Sequence, residues 1–290
     1  MKMASGQDFV RLRSGVTLHY YEWRPRASKV AILLHGLGCT GAFWSSIARY
    51  LGAYHLIAPD LRGHGLSSKP LRGYDFGSQS LDLNGLLDAV IGQDHGPVVL
   101  VGHSLGANLA VHFASRFPSK VSKLVLVDGA IGNVNGGVTK REYLKLSDTP
   151  PRTLESLPIF RKAMKLSLGF WNKDLEAMLD TTIELESSGV VVPRTPDSVG
   201  KLILEELWRH NSAVLVSRLR EVPVMLAIAQ SVQRYSKTKR YLDWLDESIR
   251  IWNEGVNNLK IDVFPNTSHY IMVQRPRELA KEVNAFLKKL

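Results

Sequence analysis

The sequence predicts an α/β protein: an eight-stranded, mainly parallel sheet with helices on both faces and a mostly helical insertion. Three observations predict it. Short β-rich runs alternate with helical runs, the signature of a parallel sheet wrapped by helices. Runs such as Leu124–Val127 are apolar at every position, as strands covered on both faces are. Between Asp128 and Val222 the rhythm changes to helical periodicity, with breakers at Pro150-Pro151, Pro158, Pro193 and Pro196. The expected domains are a core of residues 1–128 and 222–290 and a helical cap, or lid, of residues 129–221.

Taken in order, Phe9–Arg13 and Thr17–Trp23 read as a hairpin turning at Ser14-Gly15. Val30–Leu34 is a fully apolar strand, Phe43–Leu51 a helix, and His55–Ala58 a strand ending at Pro59-Asp60. Ser78–Ile91 places apolar residues three and four apart, so it is a helix. Val98–Val101 is a strand, Leu105–Arg116 a helix and Val121–Val127 a strand. After the insertion come the strand Val222–Ala229, the helix Thr238–Trp252, the strand Leu259–Phe264 and a closing helix Arg277–Leu290.

The chain has 290 residues, 44% hydrophobic and 22% charged, enough to bury a large core without a disulfide or metal staple. Its one cysteine, Cys39, rules out an intramolecular disulfide and suits a reducing compartment. Met1 to Asp8 has no apolar stretch, so no signal peptide is expected, and no apolar run could span a membrane. The expectation is a soluble, cytoplasmic monomer or homodimer. The formal charge is +10, concentrated at residues 139–174 (eight Lys/Arg against four Asp/Glu) and at Arg234, Lys237, Lys239 and Arg240. No nucleic-acid module or interleaved aromatics accompany it, so nucleic acid is not expected as a partner.

The chemistry centres on Gly102-His103-Ser104-Leu105-Gly106. A strand precedes this motif and a helix follows it, the context that puts a serine on a strained strand-to-helix turn with its hydroxyl exposed. The two glycines relieve crowding on either side. The helix start supplies free N–H groups and positive partial charge.

Through these and further residues the chain resembles the α/β-hydrolase fold family over nearly its full length. The matching elements are His35-Gly36-Leu37-Gly38, Asp60-Leu61-Arg62-Gly63-His64-Gly65, Gly102–Gly106, Val127-Asp128 and Ser268-His269, in the family's order. The resemblance implies Ser104 as nucleophile and His269 as its base. It implies an oxyanion hole from the backbone N–H groups of Leu37 and Leu105, and structural roles for His35, Asp60, Arg62 and His64. Haloalkane dehalogenases and epoxide hydrolases of this fold use an Asp nucleophile, so Ser104 points instead to acyl or C–C bond cleavage.

The acid stays open. Most members carry it after the strand Val222–Ala229, but Gln230–Ser236 contains no Asp or Glu. Asp128, at a position where some members place it, is one candidate; Asp243 or Asp246 in the following helix is another. Cap residues Phe160, Met164, Phe170, Trp171 and Trp208, with His103, are the candidate substrate pocket, suited to a small apolar or aromatic molecule. No metal or cofactor is expected, since no P-loop, no GxGxxG at a strand–helix junction and no metal-ligand spacing of histidines is present. The expected function is a serine hydrolase acting through an acyl-enzyme, most simply on a carboxylic ester. The alternatives are a C–C bond hydrolase or lyase, or a receptor-like ligand-binding homologue with weak or no turnover.

Overall fold

The computed structural model describes residue 4 and residues 6–145, 153–230 and 238–289. Ten strands are present among them: β1 (Gly6–Arg11), β2 (Thr17–Trp23), β3 (Lys29–Leu34), β4 (Tyr54–Pro59), β5 (Val98–His103), β6 (Val121–Val127), β7 (Ile183–Leu185), β8 (Val191–Pro193), β9 (Val224–Gln230) and β10 (Leu259–Pro265). Eight form one sheet in the order β1-β2-β4-β3-β5-β6-β9-β10. β1 pairs antiparallel with β2, and β2 with β4; every later pairing is parallel.

The apolar strands explain the layering. Side chains alternate across a strand, so a strand apolar throughout feeds two cores. Ile32, Leu34, Leu100, Leu124, Leu126, Leu226 and Ile228 join one cluster, with Leu86, Leu87, Leu109 and Phe113 from helices. Ala31, Leu33, Val99, Val101, Val125, Val127 and Ala227 join the other, with Phe43, Trp44, Ile47, Leu279, Val283 and Phe286. Helices therefore cover both faces, as the sequence predicts.

Around the sheet run α1 (Ser45–Ala48), α2 (Phe76–Val90), α3 (Leu105–Arg116), α9 (Lys239–Gly255), α10 (Ile271–Gln274) and α11 (Pro276–Lys288). Between β6 and β9 lie α4 (Val134–Gly137), α5 (Lys140–Lys145), α6 (Leu157–Leu168), α7 (Lys173–Asp180) and α8 (Asp197–Arg209), with the antiparallel pair β7–β8. Among the described residues no helix is long and apolar enough to cross a membrane.

Two expected elements differ. β1 begins at Gly6, earlier than Phe9, and ends before a wider turn closed by the Leu12 N–H on the Val16 carbonyl at 2.8 Å. The expected helix Phe43–Leu51 is a 3-10 turn, Gly41–Trp44, running into the short α1. The Gly41 N–H is held by Asp60 Oδ1 at 2.8 Å, and its Cα sits against the Ala58 carbonyl where no side chain fits. That tight anchoring fixes the segment to the sheet end and prevents a regular α start.

The turn after β4 is held from inside. Asp60, fully buried, accepts from His19, the Gly41 N–H and the Leu66 N–H. Burial would raise its pKa, but the His19 bond and neighbouring positive character hold it below the usual carboxylate range. Arg62 grips Asp82 with two bonds of 2.7 and 2.8 Å, both side chains buried. Removing one partner strands the other charge, so Arg62→Leu is expected to lower stability by about 3 kcal/mol in urea unfolding.

Buried neutral histidines set an acid limit. Burial first, then the adjacent His35, pushes His64 down to about 3; burial, then His112, pushes His210 down to about 4. Unfolded, each ring titrates from 6.5, so below that pH the unfolded chain takes up protons the fold refuses. The stability is fully present above pH 6.5 and is lost as pH falls toward those folded values. The urea midpoint is expected to drop between about pH 7 and pH 4.5, less steeply in His210→Gln. A midpoint constant over that range contradicts the reading.

Candidate active site

The site is built on the parallel end of the sheet, where β5, β6 and β10 stop. β5 runs to His103, and α3 starts at Leu105, leaving Ser104 alone on the bend with φ 53° and ψ −112°. That backbone conformation costs a non-glycine residue about 1–3 kcal/mol and persists only where neighbours over-determine it. Here they do. The Ser104 N–H donates to the Val127 carbonyl at 3.1 Å. Its carbonyl accepts from the Ala107 and Asn108 N–H groups at 3.1 and 3.3 Å, and from Asn108 Nδ2 at 3.1 Å. The motif's glycines allow this packing: Gly102 lies against the Gly106 backbone and Gly106 against the Leu34 carbonyl, with no room for a Cβ. Leu105 opens the helix, where first-turn N–H groups have no partner within the helix.

The loop His35–Gly38 lies against this bend. The Cys39 N–H closes a turn on the Gly36 carbonyl at 3.1 Å, with Gly38 at φ 73°, the value this turn demands at its third residue. A Cβ on Gly36 would stand 3.2 Å from the Ser104 Cβ. Leu37, partly exposed, is carried at the tip. His35 is buried beneath: the Leu61 N–H donates to its Nε2 at 2.9 Å, so its proton is on Nδ1, which donates to the Gly36 carbonyl at 2.7 Å. It is a strut between two loops. Cys39 is buried, and burial pushes its thiol up to about 12, which leaves it a packing residue rather than a reactive thiolate.

Asp128 follows β6 directly, with φ 45°. The strand order puts β6 between β5 and β9, so its end faces the Ser104 bend on one side and the last strands on the other. Gly129 presses on the bend: a Cβ there would stand 2.6 Å from the Ser104 carbonyl oxygen. Asp128 Oδ1 accepts from the Ala229 N–H at 2.8 Å, and Oδ2 lies 2.6 Å from His269 Nδ1. The structure thus brings Asp128 and His269 together, with the histidine ring partly exposed on its other side. Asp243 and Asp246 lie on α9 and make no bond to His269. Residues 231–236 of the loop after β9 lie outside the described residues.

The six candidate pocket residues divide. Phe160 and Met164, on the buried face of α6, pack with Leu175, Met178 and Val191, and Phe170 and Trp171 lean on that cluster. Trp208 belongs to the opposite cluster, 5.0 Å from the Tyr143 ring. His103 is buried below His269, its Nε2 2.9 Å from the His269 carbonyl. A further link, unmarked in the sequence, is Thr40, whose hydroxyl meets that of Thr181, at the end of α7, at 2.6 Å. No local pattern marks such a pair, since the residues lie far apart in the chain. Among the described residues no three His, Cys, Asp or Glu side chains converge as metal ligands do.

The chain is similar to known proteins. Residues 31–282 match the Alpha/beta hydrolase family. An uncharacterized protein of Mycobacterium tuberculosis is 38% identical over 154 residues, 52% of this chain but 41% of that protein, so the chain spans less than half of that relative. Lipase 1 of Psychrobacter immobilis is 29% identical over 288 residues, 95% of this chain and 82% of the lipase. The crystal structure of E-2-(acetamidomethylene)succinate hydrolase matches with a TM-score of 0.81 at 20% identity, over 98% of this chain and 99% of that one. At that identity the likeness speaks for the fold alone.

Proposed function

The chain belongs to the alpha/beta hydrolase family, and we propose that it is a serine hydrolase that cleaves carboxylic esters through an acyl-enzyme. The observation that carries this reading is the 2.6 Å bond between Asp128 Oδ2 and His269 Nδ1, beside a serine held on a strained bend.

The chemistry follows from that pair. A carboxylate on Nδ1 fixes the proton there and leaves Nε2 as the acceptor. His269 Nε2 takes the Ser104 proton as the serine oxygen bonds to the ester carbonyl carbon. The carbonyl oxygen becomes an oxyanion, received by the N–H groups of Leu37 and Leu105. Two fixed donors are worth more there than in water because they need no reorganisation. The intermediate collapses, the C–O bond to the alcohol breaks, and the alcohol leaves with the proton from His269. Water then enters over the exposed edge of the His269 ring, gives its proton to Nε2 and attacks the acyl carbon. The acid departs as Ser104 recovers its proton.

Residues 129–221 act as the cap over this site, and Phe160, Met164, Phe170 and Trp171 supply its apolar lining. That lining suits a small apolar or aromatic acyl group. The Asp128–His269 bond supports turnover over the receptor-like alternative. A panel of p-nitrophenyl esters, anilides and a vinylogous diketone tests the proposal. Ester turnover with little diketone cleavage is expected; diketone cleavage alone would replace ester hydrolysis with C–C bond hydrolysis.

A further inference from the structure

Besides Ser104, His103 is the one polar side chain of the Gly102–Gly106 motif, and the proposed reaction leaves it without a role. It ends β5, directly before Ser104, and is 1% exposed. Three parts of the site converge on its ring. Nε2 lies 2.9 Å from the His269 carbonyl, and a carbonyl only accepts, so Nε2 carries the proton and donates it. The ring centroid is 4.5 Å from that of His269 and 5.5 Å from that of Tyr270. On the other side, a Cβ on Gly36 would stand 2.8 Å from His103 Nδ1. With the proton on Nε2, Nδ1 is a bare acceptor facing the Gly36 loop, and no described residue bonds to it. Burial, then the neighbouring His269, holds the ring's pKa well below the usual histidine value. The ring is therefore neutral, and does not oppose the imidazolium that forms on His269.

The loop carrying His269 needs such a hold. It follows β10, the edge strand of the sheet, which has a sheet neighbour on one side only. Asn266 in that loop stands at φ 52°, and the Ser268 N–H is held by Gln274 from the next turn. These bonds shape the loop within itself. Asp128 orients the His269 ring, but a ring can swing with its backbone. The His103 bond grips the backbone of His269 itself and ties it to β5, the strand that carries Ser104.

We infer that His103 is a positioning residue: through Nε2–H on the His269 carbonyl and its contact with Gly36, it sets the base loop and the oxyanion loop at a fixed distance from Ser104. The inference rests on the serine hydrolase reading and adds to it a part that acts through other residues.

The test compares His103→Met with His103→Gln, which share length and shape but differ in having a donor. On a p-nitrophenyl ester, kcat of His103→Met is expected to fall about 100-fold, the scale of an ångström-sized misplacement, while KM changes little. His103→Gln, whose amide can donate to the His269 carbonyl, is expected to recover to within about tenfold of wild type. Circular dichroism and thermal unfolding accompany both. His103→Met with wild-type kcat overturns the inference; so does a folded His103→Gln as slow as His103→Met. Should His103→Met fail to fold, a folded His103→Gln about 100-fold slow in fluorophosphonate labelling overturns it, and one labelled at near wild-type rate supports it. A wild type that neither turns over ester nor takes the label removes the hydrolase reading itself, and the inference with it.

Discussion

Ser104→Ala is expected to lower kcat/KM on a p-nitrophenyl ester by about a million-fold, with the fold intact. The size follows from what the hydroxyl alone supplies. In the proposed reaction it is the atom that forms the acyl bond, carried on a bend whose backbone is fixed by Val127, Ala107 and Asn108. Without it the remaining groups form an oxyanion site around a water with no fixed direction of attack. A residual rate about a thousandfold over water is expected from those donors. The check is steady-state kinetics beside circular dichroism. Activity in Ser104→Ala within tenfold of wild type would show that another group does the chemistry.

Asp128→Asn is expected to cost about ten-thousandfold in kcat, the second largest effect. The geometry says why an isosteric change is so harmful. Oδ1 accepts from the Ala229 N–H, so the carbonyl oxygen of an asparagine stays on that side. The new NH₂ group then faces His269 Nδ1 at the place where Oδ2 accepts. It donates to Nδ1 and forces the ring proton onto Nε2, where it blocks uptake of the serine proton. Asp243→Asn and Asp246→Asn, on the outer helix α9, are expected to keep wild-type kinetics. Normal turnover in Asp128→Asn, with loss in either α9 variant, would move the acid to that helix.

The parts of this molecule legible in the sequence are those whose cause is local. Apolar runs at every position could only be doubly covered strands, and the two clusters fed by Leu33 and Leu34 on opposite faces are the outcome. The bend at Ser104 is written in two glycines between a strand and a helix, because a Cβ at either would meet backbone. Asp128 could be read from the sequence only as one candidate beside Asp243 and Asp246, since which carboxylate meets His269 depends on strand order. Asp128 reaches His269 because β6 lies between β5 and β9 in the sheet, while 141 residues separate the two in the chain. The expected helix Phe43–Leu51 is only partly formed, as a 3-10 turn and the short α1, for the same kind of reason: the Asp60 bond to Gly41, a contact across 19 residues, anchors its start. Trp208 looked like a pocket residue by composition, yet it packs with Tyr143 in the opposite core. His103 looked like lining by adjacency to Ser104, yet strand alternation sends it under the base loop.

In the proposed reaction a proton passes from Ser104 to His269 while Asp128 steadies the ring. Labelling with a fluorophosphonate probe, read by mass spectrometry of the peptide containing residue 104, tests it most directly. Stoichiometric label on Ser104 in the wild type, falling steeply in both His269→Ala and Asp128→Asn, is expected. No label on Ser104, or label taken up equally fast when His269 is alanine, would contradict it.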